Sequence, residues 1–97
     1  MYAVVRQGKL KAGMSAAFVA KAQELSQSMT GKLAGFKAFY VIAGEGDTMC
    51  TVSVFETKAQ ADAAQAVTAQ TIQAVIAGML EAPPTMLAGT IAVAQTF

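Results

Sequence analysis

The sequence of 97 residues contains no histidine, no tryptophan and no asparagine. Without histidine there is no Ser–His or Cys–His nucleophile pair, no imidazole base and no histidine ligand for zinc. A single cysteine, Cys50, excludes an internal disulfide and a cysteine cluster for a metal or an iron–sulfur centre. Most of the side chains on which common catalytic sites are built are therefore missing, and we predict neither a metal nor an organic cofactor.

Charge is also scarce, with charged residues at 13% of the chain and a formal net charge of +1. A balance this close to neutral offers no strong attraction for phosphate backbones or anionic lipids, so we expect no nucleic acid and no membrane as partner. No apolar run reaches the roughly 18 residues of a membrane span. The N-terminus lacks the basic flank of a signal peptide, which together with the lone cysteine favours a cytoplasmic location.

Apolar residues make up 55% of the sequence, enough for the core of one domain, and their spacing predicts six elements. Two segments have helical spacing, the second of them introduced by a capping box at Thr57 and Gln60. Four segments rich in β-branched and aromatic residues predict strands: 2–7, 36–43, 48–56 and 86–97. The resulting order, βαββαβ, predicts an α+β fold in a single domain over residues 1–97, a ferredoxin-like antiparallel sheet with two helices on one face.

The predicted sheet has no polar face to turn toward water. Strict alternation along the second strand would put Phe36, Tyr40 and Ile42 on one face and Phe39 and Val41 on the other. Two helices cover only one face of such a sheet, which leaves a large apolar patch on the second face. We therefore expect a homodimer through this second face, a dimeric α+β barrel. The alternative is an Ala-rich helix that wraps further around the sheet.

Two short motifs are similar to those of a known family. The run Leu-Ala-Gly-Phe at 33–36, followed by Tyr40, resembles the Pro-Gly-Phe…Tyr motif at the start of strand two in the dimeric α+β-barrel superfamily. The closest resemblance is to antibiotic-biosynthesis-monooxygenase-like (ABM-like) domains. The run Val-Ser-Val-Phe-Glu-Thr at 52–57 is similar to their junction of strand three and helix two. The resemblance covers essentially the whole chain, with Ala34 in place of the proline.

This resemblance implies a homodimer with a pocket between sheet and helices for a small apolar or aromatic, polyketide-like molecule. Active members of the group include enzymes that oxidise such a molecule with O₂ and neither metal nor flavin, so a cofactor-independent monooxygenase is the implied function. Their polar residues draw on asparagine, tryptophan and histidine, which this chain lacks. Two alternatives therefore stay open, a non-catalytic homodimeric module that binds a small molecule or serves a structural role, and a free-standing regulatory module.

Two residues are the candidates for catalysis. Arg6, the only arginine, lies in a predicted central strand, where it would anchor a carboxylate or phenolate unless it reaches water at the strand end. Tyr40, on the predicted face of Phe36, would orient a ligand oxygen unless it belongs to the barrel interior or the dimer interface. Five further residues are predicted to bind the ligand, the two glutamines on condition that they face inward: Phe36, Ser53, Phe55, Gln70 and Gln73.

Overall fold

The computed structural model describes the backbone of residues 1–29 and 31–97 and the side chains of residues 1–29, 31–67 and 76–97. The four strands form one antiparallel sheet in the order β2-β3-β1-β4, with β1 and β3 at its centre. The predicted ferredoxin-like α+β fold is thereby confirmed. The elements are β1 (Tyr2–Lys9), α1 (Ser15–Met29), β2 (Phe36–Ala43), β3 (Thr48–Phe55), α2 (Lys58–Ile76) and β4 (Thr85–Thr90).

The start of α2 is held by the capping box that the sequence predicts. The backbone N–H of Thr57 donates to Oε1 of Gln60, and the backbone N–H of Gln60 donates to Oγ1 of Thr57, both at 3.2 Å. Gly35, just before β2, lies against this box with φ of 73°, and a Cβ at this position would overlap the amide of Gln60. Its carbonyl accepts a hydrogen bond of 2.8 Å from the N–H of Glu56. Only glycine satisfies both the positive φ and the close approach, so this junction fixes where β2 starts relative to α2.

A β-bulge near the start of β2 changes which side chains share a face. Phe36 and Ala38 lie opposite consecutive residues of β3, so Lys37 is the extra residue of the bulge. Phe36 therefore shares a face with Phe39, whereas Tyr40 lies on the other face. The prediction that Phe36 and Tyr40 share a face is wrong, because one inserted residue reverses the alternation beyond it.

The last strand is shorter than its sequence pattern predicts. Alternation continues over residues 86–97, but β4 ends at Thr90, which pairs with Tyr2 at the first position of β1. One further hydrogen bond of 2.9 Å joins the N–H of Ile91 to the carbonyl of Met1. Beyond that point β1 offers no residue to pair with, so the pattern alone overestimates the strand.

The buried core lies between the helices and one face of the sheet. One cluster joins Val4 and Phe55 to small residues of α2, and a second joins Leu10, Phe18 and Met49. Both helices therefore cover the same face, as predicted. No helix among the described residues has the length and hydropathy of a membrane span.

The other face of the sheet carries apolar side chains that no helix covers. The register places Tyr40, Val52, Val5 and Leu87 side by side in one row across all four strands. Tyr40 is 59% exposed, Leu87 73% and the neighbouring Ile42 54%. A row of this kind is typical of surfaces that are covered by a partner. We call this surface the open face: Val5, Tyr40, Ile42, Cys50, Val52 and Leu87.

Candidate functional site

A cavity of about 510 Å³ lies between the helices and the face of the sheet that they cover. The strands β1, β2 and β3 form its floor, and α1 together with the segment 76–84 contributes its walls. Aromatic rings dominate one end, where Phe36 stacks on Phe55 with ring centroids 5.2 Å apart and contacts Phe39 at 6.3 Å. A mostly apolar cavity with flat aromatic walls suits a flat apolar molecule.

Few polar groups reach this cavity. Glu81 turns toward Lys9, with 4.0 Å between carboxylate and ammonium, and both side chains are largely exposed. Gln65 donates a hydrogen bond of 3.3 Å to the sulfur of Met86. Arg6 is the one cation in the described part of the lining. The described lining residues with polar side chains are Arg6, Ser26, Thr51, Ser53, Gln65 and Glu81.

The position of Arg6 follows from its strand. Because β1 is an inner strand, Arg6 has Thr51 of β3 on one side and Met86 of β4 on the other. The side chain is half-buried, and this burial lowers the pKa of its guanidinium from the ordinary value, although an arginine stays charged at neutral pH.

The charge of Arg6 has no partner within the described part of the chain. The carboxylates of the described ion pairs are held by lysines, and no hydrogen bond of the described residues involves the Arg6 guanidinium. A half-buried cation that nothing compensates is costly in free energy and favours an anion beside it.

The structure brings four of the predicted site residues together at the cavity: Arg6, Phe36, Ser53 and Phe55. Ser53 is on β3, two residues from Thr51, which lies opposite Arg6, so hydroxyl and guanidinium share the floor. Tyr40 does not line the cavity, because it belongs to the open face on the other side of the sheet. The predicted pair of Arg6 and Tyr40 is therefore not brought together. Gln70 and Gln73 lie outside the residues whose side chains are described.

Phe39 and Gln65 are two of the lining residues that the sequence patterns did not indicate. Phe39 reaches the cavity only because of the bulge at Lys37, and strict alternation would separate it from Phe36. A charged residue between apolar ones on a supposedly apolar face is the one signal that pointed to an extra residue there. Gln65 gives no such signal, since a glutamine on a helix is ordinarily a surface residue.

Side chains that could bind a metal ion do not cluster in the part of the chain that the structure describes. No group of three or more histidine, cysteine, aspartate or glutamate residues in this part is placed to hold a metal ion. Cys50 is half-buried and forms no disulfide. Because it lies on the open face, the sheet separates its thiol from the cavity.

The fold and the sequence both match known proteins. The family model described as "Antibiotic biosynthesis monooxygenase" matches residues 1–75. A solved structure of a protein of unknown function from Nitrosomonas europaea is 20% identical, with a TM-score of 0.78 over 98% of this chain and 92% of that one. A monooxygenase from Streptomyces coelicolor, solved in complex with the ligand nanaomycin D, is 17% identical, with a TM-score of 0.79 over 98% and 90% of the two chains. A comparison with curated proteins found no match.

Proposed function

The chain belongs to the antibiotic biosynthesis monooxygenase family, and from this premise we propose that it is a cofactor-independent monooxygenase acting on a flat aromatic molecule. The observation that carries the proposal is the cavity of about 510 Å³, whose described lining contains stacked aromatic rings and one uncompensated cation. The aromatic walls would hold the rings of the substrate and exclude water from them.

The proposed reaction needs only O₂ and an electron-rich substrate. A CH₂ group between two aromatic rings becomes a carbonyl group, one oxygen atom of O₂ enters the product, and the other leaves as water with the two hydrogens. The substrate supplies all four electrons, and its phenolate or enolate form is the one that gives them up most readily. The role that we propose for Arg6 is to stabilise this anionic form by charge-assisted hydrogen bonds.

Oxygen consumption tests this proposal. With a panel of anthrones and reduced phenols, we expect one O₂ consumed for each carbonyl formed, above the rate of spontaneous oxidation measured with heat-unfolded protein. With ¹⁸O₂, one labelled atom should appear in the product and one in water. Oxygen consumption no faster than with unfolded protein across the whole panel would contradict an oxygenase.

A second function, binding without catalysis, is favoured by the polar groups of the cavity. The chain has no histidine, and the carboxylate of Glu81 in the described lining is paired with Lys9. The described lining thus holds no unpaired side chain suited to accept a proton from the substrate. Saturable binding of an aromatic molecule without oxygen consumption would favour this second function.

We also propose that the protein is a homodimer through the open face. The row from Tyr40 to Leu87 is apolar across the width of the sheet, and its two edge residues are the most exposed. A second copy presents a surface of the same chemistry, and a two-fold dimer is the commonest symmetric assembly. The large apolar surfaces would then be removed from water on both copies.

A further inference from the structure

We propose that the ligand of this cavity carries a single oxyanion at one end of an aromatic body, and that Arg6 binds this oxyanion at the floor of the sheet. The inference rests on the proposed function, since it takes the cavity to be the ligand site. It adds the charge of the ligand and the direction in which the ligand lies.

The sign of the charge follows from the described lining. Arg6 is its one cation, and Glu81, the carboxylate of the same lining, turns outward to Lys9 at 4.0 Å. The described part of the lining thus holds one uncompensated positive charge in mostly apolar surroundings. A guanidinium has only donors, so its natural partner is an acceptor with negative charge. Burial lowers the pKa of Arg6, because desolvation disfavours the charged form of the guanidinium.

The direction of the ligand follows from the register of β3. Arg6 lies opposite Thr51, and the aromatic end of the cavity lies at Phe55, which stacks on Phe36. Four residue steps along a strand separate Thr51 from Phe55, a distance of about 13 Å. An elongated fused-ring molecule with the oxyanion at one end would place its charge at Arg6 and its rings at Phe36 and Phe55.

The hydroxyls beside Arg6 suit the same group. Thr51 and Ser53 both line the cavity from β3, and each hydroxyl is able to donate one hydrogen bond to an oxyanion. A neutral amide of the same shape keeps one carbonyl acceptor but carries no charge, and its NH₂ group replaces the second acceptor oxygen with donors that a guanidinium cannot accept. The site is therefore expected to reject a carboxamide in favour of the matching carboxylate.

Isothermal titration calorimetry with three probes of one shape tests the inference: an anthracene carboxylate, the matching carboxamide and the matching hydroxyanthracene. We expect the carboxylate to bind the wild-type protein at least about tenfold more tightly than the carboxamide. Absorbance titration of the bound hydroxyanthracene reports whether its phenol pKa falls on binding. Tighter binding of the carboxylate than of the carboxamide, with no change in the phenol pKa, points to a carboxylate ligand. A lowered phenol pKa points to a phenolate ligand. Each result supports the inference.

Variants assign the effect to Arg6. In Arg6→Met the carboxylate and the carboxamide should bind with equal affinity, whereas Arg6→Lys should keep a part of the preference for the carboxylate. The matched control is Lys11→Met, which removes an exposed positive charge that does not line the cavity and should leave this preference intact. If Arg6→Met fails to fold, the inference is still tested by the difference in affinity between carboxylate and carboxamide in the wild-type protein and in Arg6→Lys.

Two results would overturn the inference in distinguishable ways. If the carboxamide binds as tightly as the carboxylate and the phenol pKa is unchanged, the anion preference is wrong while the cavity remains a ligand site. If none of the three probes binds, the inference is overturned, and the oxygen-consumption assay then decides separately whether the proposed function stands.

Discussion

Arg6 combines two properties that rarely occur together in a structural residue, since it is half-buried and has no charge partner among the residues that the structure describes. Its place on the cavity floor was predictable from its position in an inner strand, and the same holds for Ser53 and Phe55. The position of Tyr40 was not predictable, because counting in steps of two gives the wrong face for a residue beyond a bulge. The roles predicted for these residues stay predictions, but their positions separate those that share a cavity from the one that does not.

At this scale we expect Arg6→Met to leave the protein at least as stable as wild type. Methionine keeps the length of the side chain and removes a partly desolvated charge, so the free energy of unfolding should rise by up to about 1 kcal/mol, reduced by the remaining contact with water. Urea denaturation followed by circular dichroism measures this. The control Lys11→Met should change the value by less than about 0.5 kcal/mol. A clear loss of stability in Arg6→Met would mean that Arg6 is a structural residue.

At the scale of elements, local patterns predicted most of the fold. The capping box at Thr57 and Gln60 predicted the start of α2, and the hydrophobic periodicity predicted the order of the elements along the chain. Two features depend on contacts between distant segments and escaped prediction. The end of β4 depends on where β1 begins, and the bulge at Lys37 depends on how β2 meets β3.

Gly35 allows the junction of these elements to be tested. Gly35→Ala should lower the free energy of unfolding by about 2–3 kcal/mol, because it strains a positive φ and pushes the Gln60 amide out of the capping box. The matched control is Gly31→Ala, where φ is 79° but nothing lies within 4 Å of the added Cβ, and about 1 kcal/mol is expected. Urea denaturation of both variants measures the difference. Equal losses would contradict the proposed interlock of Gly35 and Gln60.

At the scale of the whole molecule, the open face predicts self-association. Ile42→Lys should raise the dissociation constant of the dimer about a hundredfold or more, because a two-fold axis brings two new charges into an apolar interface. The matched control is Val67→Lys, since Val67 is 68% exposed on α2 and away from the open face. Sedimentation equilibrium measures both. A wild-type protein that is monomeric at micromolar concentration would contradict the dimer.

The inner strands separate the cavity from the open face one residue at a time. Along β3, Thr51, Ser53 and Phe55 belong to the cavity, while Cys50 and Val52 belong to the open face. Under the proposed function and the proposed dimer, consecutive codons of this strand would serve two different selective pressures, one from the bound molecule and one from the partner copy. A lineage could change its substrate by substitutions at every second position and keep its assembly unchanged, whereas an insertion or deletion of one codon would alter both at once.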